Sequence, residues 1–403
     1  MGCDRAEFPC DHHGETVARR TENATLGGSV ARSLLIHLLG ILLFSALGSV
    51  LSKRVGVGAA IGAFTGAGVA ALVILVVRIV ILRPPSQDAS CSIDIGEKHA
   101  FGGFVVSDPY DGPGEYVRAQ LHVHTENSPN GKWSLEEAIA HYRRLGYSFL
   151  AVTDHGRVTV REATNYDGLL VIPGEENTIE YPFWPLGQHI MRLFVSSHVS
   201  CGRAQERIDS CALEGGIVCI PHPSWPGNLG TGRWTEGHLR AIDGYKLIEV
   251  RNLHSDEGLD ESIWHAVLVD RMPENPVWAV AVDDARCAEE SGMGWIEVKV
   301  TDISSEALKE TLVAGRFYAT TGPRCRFGVR GGSIYARVDR PCLIRFVNRD
   351  AVIVHEIDRA TEATYTPCFD DGFVRVVVKD TDGKRGWSQP FAILPCPSVK
   401  QTQ

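Results

Sequence analysis

Five short apolar runs in this chain each end in a cluster of histidine and acidic residues, and that repeated placement restricts the fold more than any other feature. Leu121-His122-Val123-His124-Thr125 comes first, Thr153-Asp154-His155-Gly156 follows Phe149 to Val152, and Pro173-Gly174-Glu175-Glu176 follows Leu169 to Ile172. Pro221-His222-Pro223 follows Gly216 to Ile220, and Val280 to Val282 runs into Asp283-Asp284-Ala285-Arg286. Apolar runs of this length read as buried strands. Helix-like stretches lie between several of them. Ser134 to Leu145 opens with Ser134 and Glu137 at capping-box spacing and closes at Gly146. Strands alternating with helices predict an α/β fold, a parallel sheet or a (β/α) barrel, in which chemistry collects at the strand C-terminal ends. A lone HxH says little. Two imidazoles sent to one face of a strand, joined by four more polar strand ends, point to a metal centre.

The order HxH, TDH, GxE, a histidine opening a strand (His189), PHP and DDA resembles the polymerase and histidinol phosphatase (PHP) superfamily of metal-dependent phosphoesterases, over roughly residues 117–323. The resemblance implies an irregular (β/α)7 barrel holding two or three divalent ions. Carried over by position, one ion falls to His122, His124, Glu176 and Asp284, and a second to His189 and His222 with Glu176 bridging. Imidazole and carboxylate ligands suit zinc, manganese or iron, and a shared carboxylate suits a pair of cations. Neighbours compete at three positions: Glu176 is taken over Glu175, His189 over His198, and Asp284 over Asp283, each by the register of the resemblance. The third ion of the family finds Asn130 (or Pro129) and Arg286 where ligands are expected, so only His155 survives and a dinuclear centre is expected. Arg286 then either binds a phosphate fork-on or pairs with Asp283 or Glu289 at the rim. His155 is a candidate acid for the leaving oxygen, or else a hydrogen-bonded loop histidine. Glu249 and Asn252 are expected near the substrate with Asn130, and His254 at the same strand end.

The rest of the chain divides by composition. Residues 1–32 are polar, and Ser33 to Leu51 and Val55 to Val77 are uncharged runs separated by Lys53 and Arg54. Each is long enough to cross a hydrocarbon core, and Gly58, Gly62 and Gly66 put small residues at four-residue spacing in the second. A transmembrane helical hairpin over 33–83 is expected, then a linker over 84–100 and a catalytic domain over 101–323. Arg19, Arg20, Arg32, Arg83 and Lys98 flank the hairpin ends, which favours a cytoplasmic catalytic domain, and 11 cysteines, an odd number, read as reduced thiols. After Asp284, Trp295 to Val300 alternates like a strand and Ser304 to Leu312 reads as a helix closing at Gly315. Short alternating runs at Cys342 to Val347, Val352 to Ile357 and Phe373 to Val378 predict a small antiparallel β-sandwich over 324–396, followed by a tail over 397–403. Residues 315–323 and Trp387-Ser388-Gln389-Pro390 resemble the carbamate-hydrolase-like branch of the superfamily.

Net charge is −9, without a lysine or arginine stripe, which disfavours a nucleic-acid partner. The expected function is metal-dependent hydrolysis of a small-molecule phosphate ester by water acidified between two ions. Two alternatives stand beside it: hydrolysis of a carbamate or carboxylic ester on the same ions, and a membrane-tethered binding module with a decayed site. The hairpin makes its own prediction. A reporter active only outside the membrane should stay dark when fused after Gln403 and work when inserted near Lys53, and the reverse pattern would place catalysis outside.

Overall fold

In the computed structural model, residues 103–179, 187–200, 202–227 and 230–395 are described. The two expected membrane spans, the polar N-terminal segment, the linker and the C-terminal tail lie outside them. No helix among the described residues is long and apolar enough to cross a membrane.

A short strand β1 (Phe104–Val106) precedes a ring of seven strands: β2 (Glu115–Gln120), β3 (Tyr147–Val152), β5 (Leu169–Thr178), β6 (His189–Leu193), β7 (Ile217–Ile220), β8 (Leu247–Arg251) and β9 (Trp278–Ala281). β4 (Thr164–Tyr166) is a short antiparallel partner of β5 outside the ring. β2, β3 and β5 pair in parallel, as do β7, β8 and β9, whereas β6 runs antiparallel to both β5 and β7. The ring closes just beyond the ends of β2 and β9, where Val123 bridges Ala285, Asp284 N–H donates to His122 O (3.1 Å) and His124 N–H to Ala285 O (2.9 Å). The apolar stripes of the strands point inward and backward in alternation, so Leu121, Phe149, Ile172, Met191, Ile220, Ile248 and Val280 are all fully buried.

Helix and strand do not alternate strictly. α1 (Leu135–Arg144), α2 (Ala204–Leu213), α3 (Glu236–Arg240) and α4 (Glu257–Arg271) fill four connections. β3 reaches β5 through β4 instead of a helix, and β6 pairs antiparallel with β5, an arrangement that requires no helical crossover. α1 has the expected ends. Ser134 Oγ accepts from Glu137 N–H (3.1 Å), Glu137 Oε2 accepts from Ser134 N–H (2.8 Å), and the helix buries Ala138, Ile139 and Tyr142.

β10 (Trp295–Val300) returns antiparallel to β2, and α5 (Ser305–Ala314) starts on a Ser304 cap and stops where Gly315 takes φ 74°, a left-handed turn that an L side chain resists. β11 (Phe317–Thr320), β12 (Cys325–Arg330), β13 (Ser333–Asn348), β14 (Ile353–Tyr365), β15 (Phe373–Lys379), β16 (Arg385–Trp387) and β17 (Phe391–Pro395) follow. Their pairings are antiparallel, as the sequence predicts, around a second core that includes Phe327, Phe346, Val376 and Phe391. The hydrogen bonding does not stop at residue 323: β10 pairs β11, β11 pairs β16, and β1 pairs β17, so barrel and C-terminal strands share one continuous sheet.

One side chain bridges a gap in that arrangement. Fully buried Gln389 accepts from Ala279 N–H (2.9 Å) through Oε1 and donates to Ala279 O (2.9 Å) through Nε2, so its amide pairs with β9 as a neighbouring strand would. Its own N–H donates to Tyr110 Oη (2.6 Å). Residues 387–390 thus serve packing. Gln389→Leu keeps the bulk but strands both polar groups of Ala279, and should lower unfolding free energy by roughly 2–5 kcal/mol in urea titration. A loss below about 1 kcal/mol would show that another group satisfies β9.

Candidate metal centre

Every polar cluster arrives at the same end of the ring. His122 and His124 lie just past β2, flanking the Val123 bridge; His155 follows β3, His222 follows β7, and Asp284 follows β9. Glu176 is reached because β5 continues past the expected end at Ile172 and trades β3 for β6 as partner, with Gly174 to Thr178 pairing His189 to Leu193. His189 opens β6, and since that strand runs antiparallel its first residue sits where its neighbours end.

Glu176 is the centre of the constellation. Its Oε1 lies 2.6 Å from His189 Nδ1 and 2.7 Å from His222 Nε2, while Oε2 lies 3.1 Å from His155 Nδ1, 3.2 Å from His124 Nε2 and 3.3 Å from His122 Nε2. Asp284 Oδ1 completes the second side, 3.0 Å from His124 Nε2 and 3.5 Å from His122 Nε2. Three overlapping ligand groups result: His122, His124 and Asp284; His124, His155 and Glu176; Glu176, His189 and His222. The third cation position implied by the resemblance has Asn130 Nδ2 3.4 Å from His155 Nε2, with Arg286 lining the same cavity.

The residues fit divalent ions. His122 Nε2, His124 Nε2, His155 Nδ1 and Asp284 Oδ1 are buried without a hydrogen-bond partner, although each faces its neighbours at 3.0–3.5 Å. Buried polar atoms left that way cost about 1–3 kcal/mol each, a cost that a cation at their focus would offset. Burial alone would push the protonated forms of His122 and His124 down, but Asp284, Glu176 and, for His122, Glu249 hold both above the ordinary histidine value. Burial likewise opposes ionisation of Glu176 and Asp284, and the surrounding imidazoles overcome it, holding both carboxyls below their usual range. His155 goes the other way, lowered by burial to about 3, so its ring is neutral near pH 7.

Partners behind the ligands fix their direction. His122 Nδ1 is 2.7 Å from Glu249 Oε1, and Glu249 Oε2 accepts from His222 N–H (2.6 Å) and Asn252 Nδ2 (2.8 Å). Glu249 and Asn252 are fully buried and do not line the cavity, which corrects their expected place beside a substrate: the carboxylate is spent orienting imidazole and backbone. His254 does line it. Ser128 Oγ lies 3.0 Å from His124 Nδ1 and accepts from His155 N–H (2.8 Å). Its four-residue spacing from His124 is the only sequence signal for that role.

Two of the three competing pairs, the adjacent acids, face apart, while His198 lines the same cavity as His189. Asp283 accepts from Tyr142 Oη (2.8 Å) and from the N–H groups of Gly292, Met293 and Gly294, facing away from the imidazoles. Asp284 swings in on a left-handed backbone (φ 52°), as His222 does (φ 28°), and such strain is held only where surroundings over-determine it. Glu175 faces the opposite side, bound to buried Arg192 and 2.6 Å from His198 Nδ1. Arg286 pairs with neither Asp283 nor Glu289. Its Nη2 is 4.0 Å from Asp284 Oδ2, its N–H donates to Glu290 Oε2 (2.8 Å), and its Nε is buried without a hydrogen-bond partner.

The cluster floors a cavity of about 680 Å3 lined also by Pro129, Asn130, Asn177, Thr178 and Trp225, within the size range of small-molecule sites. The loop carrying Asn130 is held by Lys132 N–H on Arg286 O (2.9 Å), and Gly131 is obligatory there because a Cβ would fall 1.8 Å from Thr125 O.

Fold and site together define an α/β protein with a buried, carboxylate-centred histidine cluster of metal-binding type. No family model matches the chain, and no curated protein does. Among solved structures it is similar to a two-domain protein from Bacteroides vulgatus described as containing a predicted PHP-like metal-dependent phosphoesterase, at 14% identity and TM-score 0.42, covering 75% of this chain and 90% of that one. It is also similar to a candidate metal-dependent phosphoesterase from Bifidobacterium adolescentis (12%, TM-score 0.35, 49% and 96% covered). A lesion-specific endonuclease from Pyrococcus furiosus is similar over 49% of this chain and 56% of its own length (12%, TM-score 0.37).

The geometry separates the roles of three acidic residues. Glu176→Ala should abolish metal binding, Glu249→Gln should weaken it about 10- to 100-fold by freeing His122, and Glu175→Ala should leave affinity in place while lowering stability through Arg192. Calorimetric metal titration with parallel melting curves checks all three; stronger metal loss from Glu175→Ala than from Glu176→Ala would refute the arrangement.

Proposed function

We propose that the chain is a metal-dependent hydrolase of phosphate esters working with two divalent ions, one held by His122, His124, Glu176 and Asp284 and the other by Glu176, His189 and His222. The observation that carries this reading is the division of labour on Glu176, whose two oxygens face two different sets of imidazoles. Zinc, manganese and iron all suit such donors. When bound, a pair of ions sharing a carboxylate acidifies water and neutralises charge growing on phosphorus.

The chain's own groups do the rest. Arg286 brings a guanidinium to the Asp284 end of the cavity, where its planar donors can take phosphate oxygens two at a time. Asn130 offers an amide on the same side, beside His155. His155 is neutral and turned toward Glu176, an arrangement that suits a ligand better than the proton donor expected from sequence. Residues 33–83 add, on sequence grounds alone, a membrane hairpin tethering the hydrolase.

Purified full-length protein should bind close to two divalent ions per chain, and a reproducible count of none after supplementation would end the reading. Arg286→Ala should slow phosphomonoester turnover ten- to a thousand-fold, roughly the range for one charged transition-state donor, with metal content unchanged. Arg286→Lys should recover little, since a point charge cannot reproduce the fork. Full activity of Arg286→Ala on every phosphate ester the parent cleaves would reduce Arg286 to an ion-pair partner of Asp284.

A further inference from the structure

The two ends of the cavity differ in chemistry. At the Asp284 end stands Arg286; at the His189 and His222 end stands Trp225, its ring 4.8 Å from His189 and 5.0 Å from His222. Trp225 is half-buried and lines the cavity, so part of the indole faces the space a substrate must enter. Its position is fixed from behind. Trp225 N–H donates to His222 O (2.9 Å), Trp234 N–H to Pro223 O (2.9 Å), and Ser224 N–H to Asp260 Oδ1 on α4 (2.7 Å). Gly232 packs against the six-membered ring so closely that a Cβ there would fall 2.7 Å from Cε3. A rigid aromatic wall costs little entropy to use and favours planar partners over saturated ones of equal bulk.

We propose that Trp225 sets the substrate class: esters whose leaving group carries a planar aromatic ring, seated against the indole while the phosphate lies toward Arg286. The inference rests on the phosphate-ester reading above. It makes Trp225 a specificity-determining residue that touches the leaving group without taking part in the chemistry.

Benzyl phosphate and cyclohexylmethyl phosphate test it, because both expel a primary alcohol and differ in the flatness of the ring. Metal-loaded full-length protein should favour the benzyl ester by roughly three- to tenfold in kcat/KM, the span that one aromatic contact supplies. Trp225→Leu should erase the preference and Trp225→Phe should keep part of it. A tryptophan that merely packs His189 and His222 would, on removal, slow both esters equally, and an unchanged ratio in Trp225→Leu overturns the proposal. Should Trp225→Leu fail to hold metal, the Trp225→Phe ratio decides, again with no change counting against. If the parent cleaves neither ester, the phosphate-ester reading has failed on its own. Calorimetric binding of benzylphosphonate against cyclohexylmethylphosphonate then settles the aromatic wall separately, equal affinities refuting it.

Discussion

Five imidazoles and two carboxylates crowd together at the floor of the cavity, and the fold around them turns on making that tolerable. Glu176 is 1% exposed, and His122 and His124 are fully buried. An ionised carboxylate in such a place is expensive unless it is paired and hydrogen-bonded. The imidazoles lend it partners, Glu249 and Ser128 grip the far sides of His122 and His124, and a cation would satisfy the nitrogens that the protein leaves facing inward. An ion held there would couple its binding to folding, since it would satisfy the inward-facing atoms that burial penalises.

Backbone geometry contributes to the same focus. β5 runs long, changes partner halfway, and so carries Glu176 into the middle of the ring instead of leaving it on the rim with His155. Reversal of β6 brings His189 to that level from the other direction. His222 and Asp284 accept left-handed backbones, and Asp283, tied down by Tyr142 and three N–H groups, is the anchor against which Asp284 turns.

Much of this was legible in the sequence because it is local. Strand-end clusters give away the level of the site, the Ser134 and Glu137 spacing gives the start of α1, and Gly315 gives the end of α5. The choices between adjacent acids were also open to register, since side chains one residue apart face opposite ways. What stayed hidden depends on contacts between distant residues. Glu249 meets His122 across 127 positions, and nothing near Glu249 marks it as an orienting group instead of a pocket wall. Arg286 offered two acidic neighbours as partners, and the fold had already committed Asp283 elsewhere. Trp225 reads as one more apolar residue until His189 and His222 are placed beside it. The reversal of β6 within an otherwise parallel set of strands is a topological fact that periodicity does not encode.

The amide of Gln389 standing in for a strand beside Ala279 has a bearing on where the chain can be divided. A domain whose last ring strand is completed by a residue 110 positions downstream cannot lose its C-terminal strands without exposing that strand's edge. The ring and the C-terminal strands are thus one unit at this edge, and a cut between them would leave Ala279 without either partner.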